Sequence, residues 1–180
     1  MHSTSFLFSD IMNFYNHDLT LKVDEPEKLG SDILANAVAS NHLYKNSCIF
    51  VDFGTALVIG AVTKQKEFLG ATISPGINAA YNALINKADL LFDADLDIPS
   101  QVLGKNTVAA MSSGIYLFYI DAVNGIISRI RKEHKQNFRV VVTGGLAGMI
   151  CDQINDVDFY EPNLTLKGLN LLYNFNKRNA

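Results

Sequence analysis

Three short apolar runs follow one another between residues 48 and 73, with only a few residues between them. Cys48 to Val51 is apolar without interruption, as a strand covered on both faces must be. Ala56 to Val62 is the second run, and Glu67 to Ile73 the third, closed by Ser74-Pro75-Gly76. Gaps this short cannot hold the crossover that parallel neighbours require, so the runs predict an antiparallel meander. A chain that opens its sheet this way is not a doubly wound nucleotide fold, which would begin strand–helix–strand.

Downstream the period changes from strand to helix. Ile77, Ala80, Tyr81, Leu84 and Ile85 share one helical face. Residues 88–105 form a long connection carrying Asp93, Asp95 and Asp97. Asn106 then opens a long helix with Met111, Ile115, Phe118, Ala122, Ile126 and Ile130 spaced three or four apart. Phe138 to Val142 reads as a strand running into Thr143-Gly144-Gly145 and a short helix. Asp156 to Tyr160 reads as another strand, and Leu164 to Lys177 as a closing amphipathic helix. From Cys48 the order is β-β-β-α-α-β-α-β-α. That order predicts an α/β, ribonuclease-H-like domain, a mixed sheet with helices on both faces.

Upstream of the meander, Phe6, Leu7, Phe8, Ile11 and Phe14 lie near one helical face. Asp24-Glu25-Pro26-Glu27 is a turn, because proline disfavours helix before it. Gly30-Ser31-Asp32 leads into a helix through Ile33 to Ala39, with Ser31 or Asp32 placed to cap it.

The 180 residues are 48% hydrophobic and 18% charged, with a net charge of −3, so the basic stripe that nucleic acid demands is not expected. The densest basic stretch is Arg129, Arg131, Lys132, His134 and Lys135. It falls at the end of a predicted helix, where cations suit the dipole. Cys48 and Cys151 lie far apart in apolar surroundings, which fits reduced thiols in the cytoplasm rather than a disulfide framework. The uninterrupted apolar runs are well short of the roughly 20 residues of a membrane span, and no leader pattern opens the chain. His2, His17, His42 and His134 have no metal-site spacing and read as surface residues.

Four places could carry chemistry. Asp52-Phe53-Gly54-Thr55 delivers a carboxylate at a strand end and turns through Gly-Thr, which suits a cation and a phosphate. A hairpin turn with a capping aspartate is the plainer alternative. Val142-Thr143-Gly144-Gly145 feeds a glycine pair into a helix start, where free amides can cradle a nucleotide; an ordinary strand-to-helix turn reads the same way. Asp32 follows Gly30-Ser31 at a helix start, as a base or a cap. Thr107, in Gly104-Lys105-Asn106-Thr107, is placed to meet a ligand or to belong to a cap.

Taken in order, these segments resemble the type III pantothenate kinase family. The series runs Gly30-Ser31-Asp32, Asp52-Phe53-Gly54-Thr55-Ala56, Leu69-Gly70, Ile73-Ser74-Pro75-Gly76-Ile77, Gly104-Lys105-Asn106-Thr107, Ser113-Gly114, Thr143-Gly144-Gly145 and Leu164-Thr165-Leu166-Lys167-Gly168-Leu169. It covers about residues 22–177, by residue order. The resemblance implies transfer of the ATP γ-phosphate to pantothenate, the first step of coenzyme A synthesis, by a homodimer. It implies that Gly30, Ser31, Asp32 and Ile33 bind pantothenate with Asp32 as general base, and that Thr107 touches pantothenate. It further implies that Gly54, Thr55, Thr143, Gly144 and Gly145 meet ATP, which comes with Mg²⁺. Asp52 would hold a monovalent cation, K⁺ or NH₄⁺. If so, Asp52 and Thr143 must face one cleft.

The sequence also departs from that family. The family opens with an Asp-x-Gly-Asn-Thr loop, and no such motif lies upstream of Gly30. Residues 1–45 are therefore expected to be the tail of an N-terminal kinase domain plus the substrate-binding helix, and 46–180 the C-terminal ribonuclease-H-like domain. Ile33 stands where the family has arginine; Leu57, Val58 and Gly60 stand for Thr, Thr and Asp; Ala71 stands for glycine, and Phe118 for a small residue. These changes keep a foldable apolar pattern while removing polar groups. An inactive remnant, serving as a dimerising or binding module, is thus the alternative to a kinase. A dinucleotide-binding oxidoreductase built on Gly144-Gly145 would need a sheet that begins βαβ.

Overall fold

The computed structural model describes residues 16–88, 91–95 and 97–177. The apolar face at Phe6 to Phe14, and His2, lie outside the described residues. The elements in chain order are β1 (Thr20–Leu21), α1 (Ser31–Tyr44), β2 (Cys48–Phe53), β3 (Ala56–Val62), β4 (Glu67–Pro75), α2 (Ile77–Lys87), α3 (Thr107–His134), β5 (Arg139–Thr143), α4 (Ala147–Ile150), β6 (Val157–Tyr160) and α5 (Leu164–Lys177). The predicted order is reproduced from Cys48 onward. A two-residue strand, β1, is added in front, and its length left no periodicity to read.

These strands form one six-stranded sheet in the order β1-β4-β3-β2-β5-β6. β2, β3 and β4 are the antiparallel meander, whereas β5 and β6 run parallel to β2 and β1 runs parallel to β4. The sheet is mixed because only β2 to β4 are joined by tight turns. β5 returns beside β2 after the long helical excursion of α2 and α3, which parallel pairing needs.

Alternation along the strands divides the core into two layers. Ile49, Val51, Phe53, Leu57, Ile59, Val140 and Val142 face α3, where Ile115, Tyr119, Val123 and Ile127 close over them. Cys48, Phe50, Val58, Val62 and Val141 face the other way, onto Ile33 and Ala37 of α1. α5 lies along α1, with Leu172 against Leu34 and Val38. Central strands buried on both faces explain why Cys48 to Val51 is apolar throughout, and each large side chain buried there contributes about 1.5–3 kcal/mol.

Size complementarity tightens the second layer. Phe50 pairs across the ladder with Gly60, and a Cβ on Gly60 would lie 2.3 Å from the Phe50 ring. Position 60, where the resemblance implied an aspartate, is therefore filled by a neighbour's ring. Leu57 and Val58 are likewise buried, as their apolar character predicts.

α3 is capped by Asn106, whose side chain accepts from the Ala109 amide at 2.9 Å, and it ends on Lys135 in the left-handed region. Its basic last turn sits where the dipole favours cations, and Arg131 also bonds Asp156 at 2.8 Å and the Phe138 carbonyl at 3.1 Å. By length and composition α3 could cross a membrane, although no uninterrupted apolar run reveals this. Its inner face, with Ile115, Tyr119, Val123 and Ile127, is buried on the sheet, whereas Phe118, expected on the apolar stripe, is 68% exposed because the buried stripe runs one residue further on, through Tyr119 and Val123.

Candidate functional site

The C-terminal ends of β2 and β5 lie side by side, and three turns converge on them. β2 continues two residues beyond the predicted strand, so Asp52 and Phe53 belong to the ladder and the turn itself is only Gly54-Thr55. β5 likewise continues to Thr143. Asp52 is the register partner of Thr143. In a parallel pair such partners point to the same face, and here the flanking residues Phe50 and Val141 both pack toward α1. The carboxylate and the hydroxyl thus share one side of the sheet at its carboxyl edge, where open α/β sheets bind ligands.

Backbone contact locks the turns together. Gly144 has φ +102°, and a Cβ there would lie 2.5 Å from the Phe53 backbone. The Leu146 amide donates to the Phe53 carbonyl at 3.3 Å. On the other flank a Cβ on Gly76 would lie 2.4 Å from the Gly54 carbonyl oxygen, and the Gly76 amide donates to Thr55 O at 3.1 Å. The Phe53-Gly54-Thr55 backbone is therefore clamped between Gly144 and Gly76. Thr55 and Gly145 remain exposed, and nothing lies within 4 Å of a Cβ built on Gly145.

α1 runs antiparallel to β2, with Asn36 beside Asp52 and Ser40 beside Cys48, so its N-terminus points at the same edge. The cap differs from the expectation. Gly30 is the N-cap residue and makes no side-chain cap bond, while Ser31 is already helical. Asp32, in the first turn, curls back so that its Oδ1 accepts from the Ile33 amide at 2.9 Å. Gly30 leaves room for this, since a Cβ there would lie 2.6 Å from that oxygen. Asp32 is exposed, whereas Ile33 is 6% exposed and packs in the core with Ala37 and Val58.

Asp52 is partly buried, and burial pushes its carboxyl above the usual carboxylate range. The hydrogen bond from Asn36 opposes that rise, and the nearby negative charge of Asp32 adds to it. Two carboxylates close enough to feel each other, one of them desolvated, are an environment that a cation relieves. Among the described residues no group of three or more His, Cys, Asp or Glu could hold a metal.

Thr107 is not brought to this edge within one chain. It opens α3, and about 18 Å of helix separates it from Tyr119. Tyr119 marks the level of the clamp, because its hydroxyl donates to Pro75 O at 2.7 Å. Thr107 instead lines a separate open cleft with Asp95, Asp97, Leu103 and Lys105.

Sequence reasoning missed Asn36 as a site residue. It donates from Nδ2 to Asp52 Oδ2 at 2.8 Å and accepts at Oδ1 from Thr165 Oγ1 at 2.8 Å. A signal was present: Asp32 and Asn36 are an i, i+4 polar pair within an otherwise apolar helix start.

A model of the type III pantothenate kinase family matches residues 11–129, well over half of the chain. The chain belongs to that family. Membership places it among kinase-type transferases, and Asp32, Asp52 and Thr107 all lie inside the matched span. Thr143 to Gly145 lie beyond the match, and the β2–β5 pairing brings them to Asp52. The fold is also similar to that of a Campylobacter jejuni protein described as a candidate Baf family transcriptional activator. The TM-score is 0.60 at 20% identity, covering 93% of this chain and 72% of that one. At that identity the likeness is one of fold.

Proposed function

We propose that the cleft at the carboxyl ends of β2 and β5 binds ATP with Mg²⁺, and that the protein uses it to phosphorylate pantothenate to 4'-phosphopantothenate in the cytoplasm. The observation that carries this reading is the pairing of Asp52 with Thr143 beside the Gly54 and Gly144 turns. The strand order adds support, since an antiparallel meander continued by parallel β5 and β6 is the arrangement of a ribonuclease-H-like, sugar-kinase-like domain. On this reading residues 46–180 form that domain, and residues 1–45 bring the substrate helix from its N-terminal companion.

Phosphoryl transfer asks the protein mainly to position phosphates and to offset charge. The Gly54 and Thr55 backbone, with Thr143, Gly144 and Gly145, supplies the nucleotide side. Gly30, Ser31 and Asp32, at the N-terminus of α1, supply the substrate side. The exposed Asp32 carboxylate takes the proton from the pantothenate hydroxyl as its oxygen bonds to the γ-phosphorus and the bond to ADP breaks. Asp52 would hold K⁺ or NH₄⁺, which with Mg²⁺ would supply positive charge to offset the phosphate oxygens. Thr107 reaches a substrate only across a homodimer, which this reading includes.

Ile33 favours a second reading. It is an isoleucine buried in the core, so the residue after Asp32 supplies no guanidinium, where the family resemblance implies an arginine. A dimerising or binding module without turnover would tolerate that loss. The deciding experiment measures ADP release with pantothenate, MgATP and KCl, with an Asp-x-Gly-Asn-Thr-bearing N-terminal domain supplied. Pantothenate-dependent release that Asp32→Asn abolishes is the expected result. No turnover, alongside a concentration-dependent dimer in sedimentation, would favour the module.

A further inference from the structure

α1 carries a carboxamide between two buried alanines. Asn36 is 1% exposed, flanked by Ala35 and Ala37, both fully buried. Asparagine is a poor helix former, and a buried amide is costly unless both its ends are bonded. Both ends are: Thr165 donates to its oxygen, and its NH₂ donates to Asp52. The carboxylate accepts only, so Nδ2 must face it, and Oδ1 is then left to accept the Thr165 hydroxyl proton, which ties the amide plane to α5.

Thr165 is held in reach by the way α5 crosses α1. A Cβ on Gly168 would lie 2.0 Å from the Ala35 carbonyl oxygen, so the two helices touch there backbone to backbone. Residues 165 and 168 share a face of α5, and the same close approach brings the Thr165 hydroxyl onto Asn36. Asp52 Oδ2 is thereby committed to the amide. Its Oδ1 lies over the turn, 3.4 Å from where a Gly54 Cβ would be.

We propose that Asn36 and Thr165 are positioning residues that fix the Asp52 carboxylate with one oxygen turned inward and the other presented at the Gly54-Thr55 turn. The closing helix, 129 residues along the chain from Asn36, thus sets the geometry at the centre of the candidate site. This rests on the reading of Asp52 as the cation-facing carboxylate, and it adds the residues that aim it. Leu164-Thr165 then serves orientation as well as packing, since Leu164 is buried under the sheet while Thr165 reaches inward.

The test compares the full chain with Thr165→Val, which keeps the shape but loses the hydroxyl, and Thr165→Ser, which keeps the hydroxyl. The readouts are the ¹³C resonance of the Asp52 carboxyl, assigned through Asp52→Asn, the affinity for MgATP in KCl, and the melting temperature. Thr165→Val should move the Asp52 resonance and weaken MgATP by about tenfold, in keeping with one hydrogen bond near a charge, and Thr165→Ser should restore both. An Asp52 resonance unchanged in Thr165→Val, or the same loss in both variants, overturns the proposal. If Thr165→Val does not fold, the wild-type Asn36 amide protons decide: they should exchange slowly and shift in Asp52→Asn, and rapid exchange overturns it. Should the wild type bind no MgATP, the nucleotide reading fails, while the carboxyl resonance still decides the positioning.

Discussion

Gly144 folds back over Phe53, so that a Cβ on the glycine would lie 2.5 Å from the Phe53 backbone nitrogen. That contact joins the end of β5 to the turn after β2 and gives the candidate site its rigidity. The φ of +102° is one that L side chains rarely adopt. Gly144→Ala meets both obstacles, and strain of this kind costs about 1–3 kcal/mol before the steric clash is added. Gly145→Ala, one residue on, meets open space and should change stability by no more than about 0.5 kcal/mol. Urea unfolding of the two variants checks the contrast.

Phe50 and Gly60 offer a second test, this time of the core. The ring occupies the space that any side chain at position 60 would need. Gly60→Ala should cost about 1–3 kcal/mol by overpacking, and Phe50→Ala about 3–5 kcal/mol through the cavity it leaves. The two changes touch the same space, so their combination should cost less than the sum, as a double-mutant cycle would reveal.

Cys48 predicts a pH effect. Burial pushes its thiol from 9.0 to about 12, with Asp158 adding to the rise and Arg139 opposing it. The unfolded chain loses this proton first as pH rises. Stability from keeping the thiol neutral is therefore full below pH 9 and lost toward pH 12. Cys48→Ala should lose less stability than the wild type across that window. At pH 8 a thiol reagent should label the half-buried Cys151 well before Cys48.

Much of the fold could be read locally. The meander, the long α3 with its Asn106 cap, and the closing helix each follow from periodicity within one segment. Asp52 and Thr143 were legible as the polar ends of two apolar strands. That the two ends meet depends on β5 returning parallel to β2 after α2 and α3, which only the order of elements suggested. The Thr165–Asn36–Asp52 relay was not legible, because it joins an i, i+4 pair on α1 to a helix far along the chain through a glycine contact. The cap, expected at Ser31 or Asp32, falls one or two positions earlier at Gly30, as helix ends often shift, since Gly30 and Ser31 both suit a helix start. The exposed Thr107 carried a motif but no packing signal to say which part of the molecule it meets.

The reading of the site depends on one carboxylate at a clamped turn taking part in nucleotide binding. Calorimetric titration of MgATP into the protein in KCl, repeated with Asp52→Asn, tests this most directly. Saturable binding by the wild type, weakened by at least about tenfold in Asp52→Asn with the melting transition retained, is the predicted result. Equal isotherms for the two proteins, or no heat from the wild type, would contradict it.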